Sequence, residues 1–278
     1  MLYLSGLVYC KEYHRKTNAN KMRKDFLETA RRHYDIMQQM YSLNTKNSVE
    51  NSKIYDETEF LDKSDGKMPQ IFVKDSNVSD EIENLLVTFG DKKICVLNFA
   101  SFTSPGGGFI HGAMAQEEAL CHVTNLYNIL KEFKPLYDKN KSLKNNGIYK
   151  NWAIYSPDVV FDKIYSVTHI ENHIDVITCP APNANVFFSS FGSEEEDRYS
   201  DILYDRCKYV LDIAKENNVK VLCLGAFGCG VFGNNPYCVA ECFKILLETK
   251  NYDFDIVTFP IPAGDNLDAF KEIFKDYA

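Results

Sequence analysis

The sequence has few of the features that mark metal sites, membrane proteins or secreted proteins. Its nine cysteines include no Cys-x-x-Cys pair, which disfavours a zinc site and fits thiols kept reduced inside a cell. No hydrophobic run is long enough to span a membrane. The segment from Leu2 to Cys10 lacks the positively charged start of a signal peptide. We therefore expect a soluble, intracellular protein, cytoplasmic or nuclear, with no metal, no cofactor and no membrane partner.

Positive charge is also scarce. The chain carries 39 acidic and 31 basic residues, for a net charge of −8, and Lys and Arg are only modestly concentrated, between Lys11 and Lys24. This balance argues against a general nucleic-acid surface. An anionic ligand would have to be held locally, by backbone N–H groups at loops and helix N-termini.

Three common motifs are missing or incomplete. No glycine-rich loop ends in Gly-Lys-Ser/Thr, which disfavours a nucleoside triphosphatase. A Rossmann fold fits poorly because its fingerprint expects an acidic residue about 20 positions on, within a compact βαβ unit. The segment from His169 to His173 has its Glu misplaced for the zinc motif His-Glu-x-x-His, so we assign no metal to it.

The composition that remains is typical of one large α/β domain: 45% of residues are hydrophobic, with 17 Tyr and 19 Phe. Helical spacing predicts an N-terminal helix from Lys24 to Tyr41. Residues 42–66 are polar and predict a loop with one edge strand. A short strand over Pro69–Val73 and a helix over Val78–Leu86 follow. We therefore expect residues 1–66 to form a helical extension with a polar loop, packed on a main domain at 67–278.

The most informative stretch begins with an apolar strand at Lys93–Leu97. It leads to Gly106, Gly107 and Gly108 and, after a seven-residue spacer, to Gln116-Glu117-Glu118 at the start of a helix predicted to run to Phe133. Three glycines allow positive φ and close approach of a ligand to the backbone. Carboxylates in a first helical turn are also explained by the helix dipole alone. The Glu pair therefore indicates a functional site only because the glycine loop lies next to it.

A second strand, loop and helix follow later in the chain. Val219–Leu224 predicts a buried strand, residues 225–233 are glycine-rich, and Asn235 and Pro236 look like the cap and first residue of a helix. Converging N–H groups and a helix N-terminus suit a diphosphate. Taken alone, such a loop fits a purely structural turn as well as it fits a phosphate site.

Other elements are predicted from local pattern. Lys131–Lys150 indicates a polar connection, and Trp152–Tyr155 and Val159–Phe161 indicate strands. Ser193, with Glu196 at capping-box spacing, predicts the start of a helix whose acidic first turn needs no chemical role. The strand at Asp255–Pro262 contains two prolines and is expected to stop early or to lie at an edge.

The triple glycine, the seven-residue spacer and Gln-Glu-Glu together resemble the motif of bacterial-type poly(ADP-ribose) glycohydrolases. The resemblance continues through Ala119–Cys121 and through three blocks, at Tyr155–Val159, Val176–Asn183 and Leu224–Pro236. It implies a macrodomain-like, three-layer α/β/α fold with a central mixed sheet and an N-terminal helical extension. It also implies poly(ADP-ribose) or ADP-ribosylated protein as substrate, ADP-ribose as product, and a monomeric enzyme.

Roles for single residues follow from the resemblance. Glu118 would be the catalytic acid and Glu117 would hold ribose hydroxyls, with Gln116 also at the substrate. Asn98 would face the distal ribose, and the triple glycine would wrap the reacting sugar. The diphosphate would lie along Gly228, Cys229, Gly230, Val231 and Phe232, with the Phe232 ring beside the terminal ribose or adenosine. Near the adenine, Ile261 would offer only an aliphatic wall.

The residues themselves support this chemistry. Breaking a ribose–ribose O-glycosidic bond passes through an oxocarbenium-like state, so the leaving oxygen needs a proton and the cation needs nearby negative charge. Two carboxyls adjacent in sequence need not face one centre, which favours unequal roles for Glu117 and Glu118. Burial and a like-charged neighbour would keep one of them protonated near neutral pH.

Two alternatives remain open on the sequence. The same fold could hydrolyse mono-ADP-ribose from a protein or nucleic acid. It could also be a non-catalytic ADP-ribose-binding module, although the intact Gln116–Glu118 argues against this.

Overall fold

A computed structural model of the protein describes residues 2–61, 67–143, 145–163, 172–250 and 252–277, with side chains described from residue 21 onward. The helices are α1 Leu2–Met40, α2 Ser42–Asn51, α3 Val78–Phe89, α4 Gln116–Cys121, α5 Leu126–Leu130, α6 Lys134–Lys141, α7 Ala184–Phe191, α8 Glu196–Glu216, α9 Pro236–Lys250 and α10 Asp265–Ile273. The strands are β1 Lys53–Asp56, β2 Gln70–Asp75, β3 Ile94–Phe99, β4 Trp152–Phe161, β5 Asn172–Cys179, β6 Val221–Cys223 and β7 Ile256–Ile261.

The described strands form one mixed sheet of seven strands in the order β1-β4-β5-β3-β6-β7-β2. Strand β4 is antiparallel to both β1 and β5, while β5, β3, β6, β7 and β2 are parallel. The carboxyl ends of the parallel strands therefore share one edge of the sheet, which is where open α/β sheets bind ligands.

Alternate residues of the strands face two separate helical layers. In β3, Cys95 and Leu97 pack with α8, α9 and α10, whereas Ile94 and Val96 pack with α1, α3, α4 and α5. This period of two is expected for a strand buried on both faces. The predicted three-layer α/β/α fold with a mixed central sheet is confirmed.

The N-terminal part is more ordered than its polar composition indicated. Residues 42–51 form α2, not a loop, and it is held by tertiary bonds: Ser48 Oγ donates to Pro157 O at 2.5 Å, and Asn125 Nδ2 donates to Thr45 Oγ1 at 2.9 Å. The predicted edge strand is present as β1, at one end of the sheet. The domain boundary at residue 66 stays a prediction.

The helix predicted from Gln116 to Phe133 is interrupted. Residues between α4 and α5 instead pair with the end of β4, because Asn125 N donates to Val160 O at 3.2 Å and Asp162 N donates to Val123 O at 2.9 Å. The polar connection after Lys131 contains α6, which the sequence pattern missed. The two predicted strands at 152–161 are one strand with a register shift between Ser156 and Val159.

Two further predictions are corrected. Ser193 does not cap a helix. It opens a 3-10 turn, and α8 begins only at Glu196; among the described residues, no side chain caps its first turn. Strand β7 is not at an edge, since it lies between β6 and β2. Thr258 O accepts from Leu224 N at 2.8 Å on the β6 side. The backbone of Pro260 faces the same side of β7 as that of Thr258, but beyond the end of β6. No strand residue there needs a hydrogen bond from the N–H that proline lacks.

Candidate active site

A cavity of about 1080 Å³ opens at the carboxyl ends of β3, β6 and β7, and both glycine-rich loops line it. Among the predicted site residues, those on its wall are Gly107, Gly108, Gln116, Glu117, Glu118, Gly228, Gly230, Val231 and Phe232. Three predicted residues, Asn98, Gly106 and Cys229, are not on the wall. The fold thus brings together two motifs that are more than 100 positions apart in the sequence.

The first glycine loop is a chain of tight turns. Gly106 and Gly107 have φ of 65° and 59°, a conformation that favours glycine. Gly107 N donates to Ser104 O at 3.0 Å, and Phe109 N donates to Gly106 O at 3.0 Å. A Cβ at Gly107 would lie 2.5 Å from Glu118 Oε1 and 2.8 Å from Glu117 Oε2. Only glycine therefore leaves room for both carboxyls at this point.

Glu118 is fixed by the backbone of the same loop. Its Oε1 accepts from Gly108 N at 2.7 Å and its Oε2 accepts from Ala115 N at 2.9 Å. The second bond is the helix-to-cap half of a capping arrangement at the start of α4. The carboxyl is only 6% exposed, yet it lies on the cavity wall. Two backbone N–H donors thus fix the orientation of this carboxyl at the cavity wall.

Glu117 is held by the end of β3. Its Oε2 accepts from Ser101 N at 2.8 Å, and its Oε1 accepts from Asn98 Nδ2 at 3.2 Å. Burial raises the pKa of Glu117 to about 8, against the lowering effect of these donors and with a further rise from Glu118. Glu117 is therefore expected to be mostly protonated near neutral pH.

Gln116 lines the cavity, and Asn98 lies behind its wall. The Gln116 amide accepts from Phe99 N at 2.9 Å and donates to Leu97 O at 2.8 Å, so it joins α4 to β3. Asn98 is fully buried and also donates to Thr178 Oγ1 at 3.3 Å. Its Oδ1 has no hydrogen-bond partner within the described part of the chain.

The second glycine loop leaves several donors unused. Among the described residues, no acceptor is bonded to the backbone N–H of Gly228, Gly230, Val231 or Phe232. The loop is held by its carbonyls instead: Asn185 N donates to Phe232 O at 3.2 Å, and Asn185 Nδ2 donates to Val231 O at 3.1 Å. Free N–H groups in a loop that precedes a helix form an anion-binding cradle.

The helix after this loop begins as predicted. Asn235 Oδ1 accepts from Tyr237 N at 2.9 Å, and Asn235 O accepts from Val239 N at 3.1 Å. Pro236 is the first residue of α9. The strand–loop–helix unit predicted from the sequence is therefore present.

Two residues of the loop differ from the simplest expectation. The N–H of Cys229 is already bonded to Ala226 O at 3.1 Å, and burial raises the pKa of its thiol to about 12. Phe232 is half-buried: it lines the cavity and also packs on the main core. His111, in the spacer between the first glycine loop and Gln116, is exposed and does not line the cavity.

A buried arginine supports one side of the site. Arg206 is 1% exposed. It donates to Asn151 Oδ1 at 2.7 Å and to Ile148 O at 3.2 Å, and also to the carbonyls of Tyr149 and Pro180. The segment that it holds places Tyr149 beside Phe232. Nothing in the sequence pattern distinguished Arg206 from the exposed basic residues of a helix.

Sequence reasoning missed part of the wall. The additional lining residues lie near strand ends or helix starts: Asn77, Val78, Phe99, Ser101, Ser104, Met114, Ala115, Ala119, Ala181, Leu224, Ala226, Pro260, Pro262, Ala263, Gly264, Asp265 and Asn266. Most of them lie at or after the carboxyl ends of β2, β3, β5, β6 and β7, which is the signal that could have identified them.

The residues that the structure describes contain no group of three or more His, Cys, Asp or Glu side chains placed to hold a metal ion. Of the described helices, none is both long and apolar enough to cross a membrane. The His169–Glu171 part of the segment considered above lies outside the described residues.

Solved structures of bacterial enzymes are similar to this chain. Poly(ADP-ribose) glycohydrolase (PARG) from Thermomonospora curvata is 27% identical, with a TM-score of 0.78 over 90% of this chain and 100% of that one. The same enzyme bound to the inhibitor ADP-HPD is 28% identical, with a TM-score of 0.79 over 90% and 99%. PARG from Deinococcus radiodurans in complex with ADP-ribose is 28% identical, with a TM-score of 0.74 over 84% and 98%.

A comparison with curated protein sequences gave no match. The family model "Microbial-type PARG, catalytic domain" matches residues 15–163, which is more than half of the 278 residues. This segment includes the first glycine loop, Gln116-Glu117-Glu118 and the strands on either side. With the two glycine loops on one cavity, the match shows that the chain belongs to the microbial-type PARG family, glycosidases that hydrolyse poly(ADP-ribose).

Proposed function

We propose that Glu118 is the general acid and base of the glycohydrolase reaction. The observation that carries this is the position of its carboxyl, fixed by two backbone N–H groups on the cavity wall and next to Gly107. A catalytic carboxyl must be held within reach of the reacting bond, and orientation by groups that do not move is an efficient way to achieve that.

In this proposal one residue, Glu118, both donates and recovers the proton. Glu118 gives its proton to the ribose oxygen that leaves the anomeric carbon, so that the C–O bond breaks as an oxocarbenium-like cation forms. The carboxylate left behind stabilises that cation. It then accepts a proton from the water that attacks the anomeric carbon, which regenerates the acid and releases ADP-ribose.

Glu117 positions the sugar in this scheme. Because its pKa is about 8, it is mostly protonated at neutral pH and can both donate to and accept from ribose hydroxyls. Asn98, which is buried behind the cavity wall, donates to its Oε1. A neutral Glu117 also leaves the negative charge near the cation to Glu118.

The diphosphate is held by the second loop. The free N–H groups of Gly228, Gly230, Val231 and Phe232 and the start of α9 supply donors without any basic side chain. The cavity of about 1080 Å³ is just above the size of ordinary small-ligand sites, which fits one ADP-ribose unit. The Deinococcus radiodurans enzyme is in complex with ADP-ribose, and we propose the same product here, released from chain ends by a monomer.

Replacing Glu118 with Gln tests the assignment. The amide keeps the size of the side chain but cannot supply the proton. We expect ADP-ribose binding, measured by calorimetry, to stay within about threefold, and release of ADP-ribose from polymer to fall by at least about 10²-fold. The exposed Glu132→Gln serves as the matched control and should keep full activity. An active Glu118→Gln variant would overturn the proposal.

Polymer and mono-ADP-ribosylated protein are assayed side by side. Release from polymer alone supports hydrolysis of the ribose–ribose bond. Equal release from both substrates would favour an enzyme that also hydrolyses mono-ADP-ribose from protein.

A further inference from the structure

The segment that follows the triple glycine closes on the Glu118 carboxyl from both ends. Gly108 N and Ala115 N donate to its two oxygens, at 2.7 and 2.9 Å. Within the segment, Gly108 O accepts from Ala113 N at 3.1 Å. We call residues 108–115 the Glu118 loop. The orientation of the carboxyl therefore depends on where this loop is held.

The middle of the Glu118 loop is hydrogen-bonded to helix α1. The Arg23 side chain, on α1, donates through Nε to His111 O at 3.1 Å. His111 is the last residue of the 3-10 turn in the loop. The bond joins residues 88 positions apart in the sequence, so it fixes the turn to an element outside the catalytic motif.

Gly112 lets the backbones of the loop and the helix come close together. Its φ is 72°, a conformation that favours glycine. A Cβ at this position would overlap Arg23 O and would lie 3.1 Å from Leu27 N. Any larger residue at position 112 would therefore have to push the loop and α1 apart.

A second anchor lies further along α1. His33 is 4% exposed, and its Nε2 donates to Thr124 O at 2.9 Å, just beyond the end of α4. The His33 ring also packs edge-on against the ring of Phe109 in the Glu118 loop, with centroids 6.3 Å apart and planes at 89°. Helix α1 thus contacts the chain both before and after α4, the helix that carries Glu118.

We propose that Arg23 is a positioning residue for the glycohydrolase reaction: its bond to His111 O holds the Glu118 loop, and through that loop the Glu118 carboxyl. This rests on the proposed function, in which Glu118 is the general acid and base. A catalytic group displaced by about 1 Å can lose about 10²-fold in rate. Because the proposed diphosphate donors lie in the other glycine loop, loss of the Arg23 bond should slow turnover and spare ADP-ribose binding.

Two substitutions of Arg23 separate its hydrogen bond from its charge. In Arg23→Met a methyl carbon takes the place of Nε, so both the donor and the charge are lost. In Arg23→Gln the amide nitrogen takes that place, so a donor remains and only the charge is lost. Arg32→Met, at another exposed arginine of α1, is the matched control.

Four quantities are measured for each protein: kcat and KM on polymer, the dissociation constant for ADP-ribose by calorimetry, and the melting temperature. We expect Arg23→Met to lower kcat about tenfold, with KM and the dissociation constant within about threefold of the wild type. Arg23→Gln should recover most of the rate, and Arg32→Met should match the wild type. A purely structural role would lower the melting temperature and leave kcat of the folded enzyme unchanged.

Gly112→Ala tests the same contact without changing any charge. The methyl group separates the loop from α1, and we expect kcat to fall by at least about tenfold while ADP-ribose still binds. If this variant does not fold, the Arg23 variants decide the question alone.

A wild-type kcat in Arg23→Met would overturn the inference. So would an equal loss in Arg23→Gln, which would assign the effect to charge, or a rise in KM at unchanged kcat, which would place Arg23 at the substrate. A wild type that releases no ADP-ribose from polymer, or a fully active Glu118→Gln in the same assay, would instead refute the proposed function, and neither result depends on Arg23.

Discussion

The ring of Tyr149 lies against the ring of Phe232, with centroids 5.8 Å apart and planes at 58°. On its other side Tyr149 stacks on Phe102, at 4.6 Å and 16°. Phe102 lies four positions before Gly106 of the first glycine loop, and Phe232 belongs to the second loop. A residue outside both loops therefore connects them, and the hydrogen bond from Arg206 to its carbonyl holds it at a φ of 47°.

Tyr149→Leu should loosen the second loop. We expect the dissociation constant for ADP-ribose to rise about tenfold and the free energy of unfolding to fall by about 1–2 kcal/mol, because two aromatic contacts are lost. Calorimetry and urea unfolding measure these changes. Tyr149→Phe keeps the ring and should match the wild type, whereas wild-type affinity in Tyr149→Leu would show that the ring does not position the loop.

Gly107→Ala should abolish turnover while leaving the protein folded. The new methyl group would lie within 2.5–2.8 Å of oxygens of both carboxyls, and alanine at a φ of 59° costs about 1–3 kcal/mol. We expect at least a 10²-fold loss of kcat on polymer with an unchanged far-UV circular dichroism spectrum. Turnover near the wild-type rate would contradict the packing of Glu117 and Glu118 around this glycine.

The second loop offers a matched pair of glycines. A Cβ at Gly228 would lie 2.6 Å from Ala181 Cβ, at a φ of 74°, whereas a Cβ at Gly230 would meet no heavy atom within 4 Å. Gly228→Ala should therefore destabilise the protein by about 1–3 kcal/mol. Gly230→Ala should change the unfolding free energy by less than about 0.5 kcal/mol. Equal thermal shifts for the two variants would contradict the loop conformation.

Glu117 should make stability depend on pH. Its pKa is raised from 4.5 to about 8 on folding, so between these values the folded protein keeps a proton that the unfolded chain releases. The penalty is absent below pH 4.5 and complete above pH 8. Stability therefore falls as pH rises through this window, by up to about 1.4 kcal/mol per pH unit from this group.

Glu117→Gln should flatten that slope and raise stability at the alkaline end. Urea unfolding at several pH values measures both effects. Glu132→Gln, at a glutamate whose side chain is 54% exposed, controls for the loss of a carboxyl. An identical pH slope in the wild type and in Glu117→Gln would show that the carboxyl is ionised when folded.

The sequence predicted the elements correctly where the local pattern and the tertiary structure favour the same conformation. The strand, loop and helix around Gly106–Glu118 and around Gly225–Pro236 are encoded by apolar runs, glycines and caps that act within a few residues. The short helix α2 was missed because its stability comes from partners such as Pro157, far away in sequence. The burial of Arg206 and Asn98 depends in the same way on segments that only the fold brings near.

The Gln116 side chain replaces a peptide group: it accepts from Phe99 N and donates to Leu97 O, as a neighbouring strand would. The first turn of α4 is therefore attached to β3 by a two-bond clamp, and Glu117 and Glu118 move only as the sheet moves. Within the described residues, no side chain of the second loop clamps it to the sheet in this way. We therefore expect adjustment to an arriving substrate on the side proposed for the diphosphate, with Glu117 and Glu118 as the fixed side against which the sugar is proposed to align.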